Sequence, residues 1–293
     1  MSRSLNSKRS KVRFDSAPLI LYHHSMKLFV IGAGNMGSAI IEALLDASEP
    51  LFESVNVMDH SEEKCARLRA KGAITFYSLE SMIFEANSVV LVAVKPQDID
   101  TVLEALTPRL HPESLVISIA AGVSIQRLQN KTLHPSVVRV LPNTPALIRS
   151  GVSVWMPSQE VTPHQKHTAE SLFKVLGLTI EASSEDHLDA IGVLTGCGPA
   201  YTFYFIESLV QAVVALNVPE KDAVSLALQT LLGSTLLAQK QATTLSEIQT
   251  LRANVTSKGG ITEKAIDVFE SHDFKATVEA ALKAAYDRTK ELS

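Results

Sequence analysis

The sequence predicts an α/β fold: a Rossmann-type doubly wound N-terminal domain followed by an all-helical domain. Three observations carry this prediction. Short apolar runs alternate with helix-period stretches over residues 27–183, the pattern of repeated strand–helix units. Several runs, notably 88–94 and 115–119, lack any polar alternation. Strands of that kind are covered on both faces, as in a parallel sheet flanked by helices. After about residue 184 the strand pattern ends and helix pattern continues to the C-terminus.

Taken in order, residues 27–31 form an apolar strand that runs into glycines, and a helix through Ala39, Ile40, Ala43 and Leu44 follows. A second strand covers 54–58, and Ser61 is placed to cap the helix carrying Cys65 and Leu68. Strands at 88–94, 115–119, 137–141 and 151–155 come next. Thr162-Pro163-His164-Gln165 has the form of a capping box with proline at the first helical position. The helix it opens runs to about Leu176, and a strand at 178–181 closes the α/β part. Helices are expected at 187–195, 200–216, 219–239 and 246–254, then from about Thr262 and Phe274. The division expected is therefore 27–183 for dinucleotide binding and 184–293 for the helical part. Residues 1–26 stand apart: Arg3, Lys8, Arg9, Lys11 and Arg13 precede the first acid, Asp15, and Met26 offers a natural start. That segment reads as a disordered or over-called extension.

Composition removes several functional classes. A formal net charge of -4 leaves no basic face for nucleic acid. Two cysteines far apart, Cys65 and Cys197, argue for a reducing, cytoplasmic setting without a disulfide framework. Cys197 reads as a small buried thiol rather than a nucleophile, because no electropositive neighbourhood is evident around it. The nine histidines form no ligand pattern, so no metal is expected. Residues 201–218 are apolar enough to suggest a membrane span, but Glu207 near the middle would cost about 2.5–3.5 kcal/mol there. Burial in a core or a subunit interface accounts for that helix better.

The chemistry-bearing motifs lie at strand ends. Gly32-Ala33-Gly34-Asn35-Met36-Gly37 follows a strand and opens a helix. Gly32 permits the turn, Gly34 lets a pyrophosphate approach the backbone, and Gly37 allows close helix–strand packing. The free amides and positive dipole at the helix N-terminus suit phosphate. Asp59 ends the second strand, where an acid accepts from an adenosine ribose hydroxyl and favours NADH. Ser61, Lys64 and Arg67 follow closely and could instead hold the 2′-phosphate of NADPH. The choice between the two nucleotides stays open at this level, with a lean to NADPH. Val94-Lys95-Pro96, the turn through Ala120, and the turn through Asn143 give three further strand exits on the carboxyl edge, where a nicotinamide is expected. In the helical half, the stretch from Asn254 through Ser257, Gly260, Ile261 and Thr262 sets hydroxyls and a glycine pair at a helix start, a place for a carboxylate. Taken alone, it reads equally as a helix capped by Thr262.

In this order, V-I-G-A-G-N-M-G-S-A-I, V-A-V-K-P, S-I-A-A-G-V, R-V-L-P-N-T-P-A-L, T-G-C-G-P-A-Y and V-T-S-K-G-G-I-T resemble the pyrroline-5-carboxylate reductase family. The likeness extends from about Met26 to the C-terminus. It implies NAD(P)H-dependent reduction of the cyclic imine 1-pyrroline-5-carboxylate to L-proline, the last step of proline biosynthesis. It also implies a homodimer, assembled further in some members, with each site formed where one subunit's cofactor domain meets helices of the dimer. By position, Asn254, Ser257 and the Gly260, Ile261 and Thr262 backbone would hold the substrate carboxylate, with the Thr262 hydroxyl near the ring nitrogen as the catalytic group. Lys258 stands where the family usually has proline, and Ile261 where it has a smaller residue or threonine. Those departures keep two other readings in view: a reductase of another cyclic imine, and a catalytically inactive NAD(P)H-binding regulatory protein.

Overall fold

The computed structural model describes residues 26–292. Residues 1–25, which hold nearly all of the expected extension, lie outside that range; Met26 itself is buried under the sheet. Eight strands form one sheet: β1 (Lys27–Ile31), β2 (Ser54–Met58), β3 (Ile74–Phe76), β4 (Val89–Val92), β5 (Leu115–Ser118), β6 (Val137–Pro142), β7 (Gly151–Pro157) and β8 (Gly177–Glu181). Their order is β3-β2-β1-β4-β5-β6-β7-β8. Chain direction therefore reverses its lateral progress between β1 and β4, and that switch point is where open α/β sheets bind ligands. Flanking helices are α1 (Asn35–Leu45), α2 (Glu62–Ala70), α3 (Ile99–Leu106), α4 (Ile125–Thr132) and α5 (Pro163–Lys174).

β1 explains why its sequence carries no polar alternation. Leu28 and Val30 enter a core with Ile40, Ile41, Leu172 and Phe173, whereas Phe29 and Ile31 enter a second core with Ile99, Leu103 and Leu128. Successive side chains point to opposite faces, and both faces are dry. Each fully buried aliphatic side chain contributes about 1.5–3 kcal/mol of transfer free energy. The capping box of α5 forms as read: Thr162 Oγ1 accepts from Gln165 N, and Gln165 Oε1 accepts from Thr162 N.

Two features of the sheet depart from the sequence reading. β3 is an additional edge strand of three residues whose Ile74 is half exposed, so no apolar run marks it. β7 pairs antiparallel with β6, while all other neighbours are parallel. Gly151 and Gly177 permit the β7–β8 pairing: a Cβ on Gly177 would drive into the Gly151 carbonyl, and Gly177 has φ +136°.

The helical part comprises α6 (Glu185–Thr195), α7 (Gly198–Val214), α8 (Glu220–Gln241), α9 (Leu245–Asn254), α10 (Ile261–Ser271) and α11 (Phe274–Leu292). Helix α6 packs on the sheet through Leu188 beside Val154 and Ala182. Beyond it, burial almost ceases. No residue of α7 is buried, and only Ala223 and Ala227 are buried on α8. Phe203, Tyr204, Leu226, Leu232 and Leu236 all stand exposed. Cys197, expected to be buried, is exposed at the start of α7, while Cys65 is buried. The Cys197 thiol stands beside α7, which buries no residue within the chain, so the core expected around it does not close. Among the described residues, no helix is long and apolar enough to cross a membrane.

Candidate active site

The glycine loop does what each glycine position demands. Gly32 adopts φ +100°, and a Cβ there would lie 2.8 Å from the Ala93 carbonyl oxygen. A Cβ on Gly37 would collide with the Gly32 carbonyl, so α1 can approach β1 only with glycine at that point. Around Gly34 there is nothing within 4 Å, which leaves open space against the backbone. Gly34 is also the N-cap of α1, with no side-chain cap. The amides of Asn35, Met36 and Gly37 therefore have no intrahelical acceptor, and this end of the helix borders a cleft of about 560 Å³ through Gly34 and Asn35. Ala33, Gly34, Asn35, Ser61, Lys64 and Arg67 line this cleft.

Asp59 turns inward rather than into the cleft. Its Oδ2 accepts from the Ala33 amide at 2.8 Å, and its Oδ1 accepts from the Ser61 amide at 2.8 Å. Lys64 Nζ approaches Oδ2 at 3.4 Å. Burial pushes the Asp59 carboxyl up, but the Ser61 and Ala33 amides and the Lys64 ammonium outweigh it and hold it below the ordinary aspartate range. The carboxylate thus braces the glycine loop against the end of β2. Ser61 caps α2 through Lys64 N and still lines the cleft. Arg67 leans to Glu42 at 3.5 Å, and Arg149 to Asp46 at 2.9 Å. Sequence reading missed Arg149 and Leu147, which reach the cleft from the turn after β6.

A second cleft, of about 440 Å³, opens at the strand exits. Met36, Ala93, Val94, Ile119, Ala121 and Gly122 form its sheet side, and Gly192, Val193, Gly196 and Cys197 form its helical side. Most of that lining is small or apolar, which suits a flat ring. Of the strand-exit residues expected here, only Val94 lines it. Lys95 and Pro96 begin an exposed short turn beyond the rim, and Ala120 is buried behind Ala121. Asn143 is spent internally: its Nδ2 donates to the Thr195 carbonyl at 2.9 Å, and its Oδ1 accepts from the Val152 amide at 2.8 Å. It ties the β6 exit to the end of α6 instead of presenting an amide to the cleft. Near the same mouth, burial and the Cys197 thiol push the Tyr201 phenol up.

The loop between α9 and α10 is elsewhere. Asn254, Ser257, Gly260, Ile261 and Thr262 line neither cleft of their own chain. The N-cap of α10 is Gly260, not Thr262, so the helix needs no hydroxyl cap. Glu263 reaches back to the Gly259 amide at 2.7 Å, and Gly259 takes φ +73°. Among the described residues, the side chains of Asn254, Ser257 and Thr262 have no hydrogen-bond partner. Ile261 is 94% exposed. Among the described residues, no group of three or more potential ligands could hold a metal ion.

Comparison with known proteins gives a consistent result. Residues 185–292 match the family model described as pyrroline-5-carboxylate reductase dimerisation. Residues 27–122 match the one described as NADP oxidoreductase, coenzyme F420-dependent. The pyrroline-5-carboxylate reductase of Pseudomonas aeruginosa is 35% identical over 268 residues, which span 91% of this chain and 97% of that protein. A solved structure of a pyrroline-5-carboxylate reductase from Coxiella burnetii superposes with a TM-score of 0.83 at 35% identity, covering 91% of this chain and 98% of that one. The Plasmodium falciparum pyrroline carboxylate reductase with NADP bound gives 0.79 at 30% identity, covering 91% and 97%.

Proposed function

This chain belongs to the pyrroline-5-carboxylate reductase family, and we infer that it reduces 1-pyrroline-5-carboxylate to L-proline with a reduced nicotinamide nucleotide. The observation that carries this reading is the pair of clefts at the switch point, one polar and backed by free helix amides, the other small and apolar. A dinucleotide fits that division: the amides of Asn35, Met36 and Gly37 would hold the pyrophosphate, with room made by Gly34. Bound there, the reduced nicotinamide supplies the hydride. We favour NADPH over NADH. Asp59 is committed to two amides, while Ser61 and Lys64 remain on the cleft lining, where a 2′-phosphate would meet a hydroxyl and an ammonium.

Every other step belongs to residues of this chain. Val94, Ala121 and Gly122 leave a ring-sized space at the strand exits. The α9–α10 loop offers Asn254, Ser257, Thr262 and the amides following Gly260 to a carboxylate, which orients the imine carbon. An imine protonated in solution is already electrophilic, so orientation is the main contribution, worth roughly 7–11 kcal/mol when near-attack geometry is held. The loop lies outside its own chain's clefts, and α7 and α8 present unburied apolar faces. We therefore propose a homodimer in which the loop of one copy serves the cleft of the other. The setting fitted by the two free thiols is the cytoplasm.

The test is loss of reduced-nicotinamide absorbance in the presence of 1-pyrroline-5-carboxylate, with proline identified as product. Turnover with NADPH faster than with NADH supports both readings. Tight nucleotide binding without turnover would mean that another imine, or regulation, is the true role. Thr262→Ala lowers kcat/KM at unchanged thermal midpoint; an unchanged kcat/KM removes Thr262 from the mechanism.

A further inference from the structure

One wall of the apolar cleft is held by ionic groups that the chemistry above does not use. Asp189 on α6 is 4% exposed and lies between two cations. Its Oδ1 accepts from Arg139 Nη2 at 2.7 Å, and its Oδ2 from Lys290 Nζ at 3.3 Å. Glu185, one turn earlier, accepts from Arg139 Nη1 and from the Ile125 amide at the start of α4, both at 3.0 Å. Lys290 sits in the last turn of α11 and also pairs with Asp186 Oδ1 at 2.7 Å. The Tyr286 hydroxyl donates to that same Asp186 oxygen at 2.6 Å. The Asp186 hydrogen bond, with help from Asp189, holds the Lys290 ammonium above the ordinary lysine range, so it stays charged.

Placement distinguishes this cluster from a surface ion pair, which contributes little. Arg139, Asp189 and Thr289 all line the cleft. Farther along the same face of α6 come Gly192, Val193 and Gly196, at three, four and seven residues from Asp189. The wall packs against β6 here: a Cβ on Gly192 would stand 2.9 Å from Leu141 Cδ1. Without Lys290, Glu185 and Asp189 would share the single Arg139 guanidinium, Asp189 Oδ2 would lose its partner in a buried place, and Asp186 would keep only the Tyr286 hydroxyl.

We propose that Lys290 is a positioning residue for hydride transfer: from the terminal helix it locks Asp186 and Asp189, and with Arg139 it holds the α6 wall at the spacing that aligns a nicotinamide ring with the imine. The proposal rests on the reductase reading above. Lys290 touches neither substrate nor nucleotide and acts through Asp189 and Arg139.

Lys290→Met is expected to lower kcat by about 10- to 100-fold, as misplacement of reacting groups does. The KM for NADPH and the affinity for adenosine 2′,5′-bisphosphate, which reaches only the polar cleft, stay at the wild-type values. Lys290→Arg restores most of kcat, since a guanidinium can also bridge the two carboxylates. The fluorescence of bound NADPH, recorded without any imine, weakens in the Met variant as the ring loses its fixed wall. That readout holds whichever imine the enzyme reduces, so failure of the clamp and failure of the substrate assignment are told apart. Unchanged kcat with unchanged fluorescence overturns the proposal. So does a loss of bisphosphate affinity and thermal midpoint in step with kcat, because Lys290 would then merely support the fold.

Discussion

The sheet half and the helical half of this chain are built from equally apolar sequence and end in opposite states. In the sheet half, β4 and β5 are buried throughout and β1 from Leu28 to Ile31, and two cores close over them. In the helical half, α7 is as apolar as a core helix yet buries nothing, and α8 exposes a run of leucines. The difference teaches that the first half completes its own core, whereas the second is one part of a core that needs another copy. The match of residues 185–292 to a dimerisation model agrees with that reading.

The comparison breaks most sharply with one substitution on each side. Leu232→Asp, on the exposed face of α8, is expected to yield a monomer by light scattering, with activity down by about 100-fold or more, because a carboxylate cannot be buried unpaired in an apolar interface. Its thermal midpoint should depend on protein concentration in the wild type and cease to do so in the variant. Ile117→Ala, in the sheet core, should instead cost about 2–5 kcal/mol at any concentration and leave the dimer intact. A Leu232→Asp protein that stays dimeric and active would refute the shared core.

Within the sheet half, Gly34→Val separates site from scaffold. A Cβ there meets no other part of the protein within 4 Å, so the fold should survive. It fills the space left for the pyrophosphate, and dinucleotide affinity should fall by about 10- to 100-fold, measured by titration. Lys64→Glu is a smaller perturbation. It should weaken NADPH by roughly tenfold while leaving NADH nearly unchanged, since only a 2′-phosphate meets that ammonium. Equal losses for both nucleotides would mean that Lys64 serves only to brace Asp59.

Legibility followed the range of the interaction. The glycine loop, the buried strands and the capping box of α5 were readable because each depends on residues within a few positions of one another. β3 was not, since an edge strand of three residues with half-exposed side chains leaves no apolar run. The inward turn of Asp59 depends on an amide 26 residues away, and Asn143 is drawn to a carbonyl 52 residues away. The Arg139–Asp189–Lys290 cluster joins positions 50 and 101 residues apart. No periodicity encodes such pairs, because the fold alone brings them together. The exposed Cys197 has a different cause: the local sequence is that of a core, and its cover lies outside the single chain.

Mixing two impaired variants, assayed at a nucleotide concentration too low to saturate the Gly34→Val cleft, tests the shared site most directly. Gly34→Val removes the nucleotide from one cleft, and Thr262→Ala removes the hydroxyl from one loop. If the loop serves the partner's cleft, co-expressed mixed dimers contain one site with both Gly34 and Thr262 intact, and imine-dependent NADPH oxidation returns to a substantial fraction of wild type. If mixed dimers form and remain as inactive as their parents, the loop serves its own chain, and the account of a site assembled from two copies is wrong.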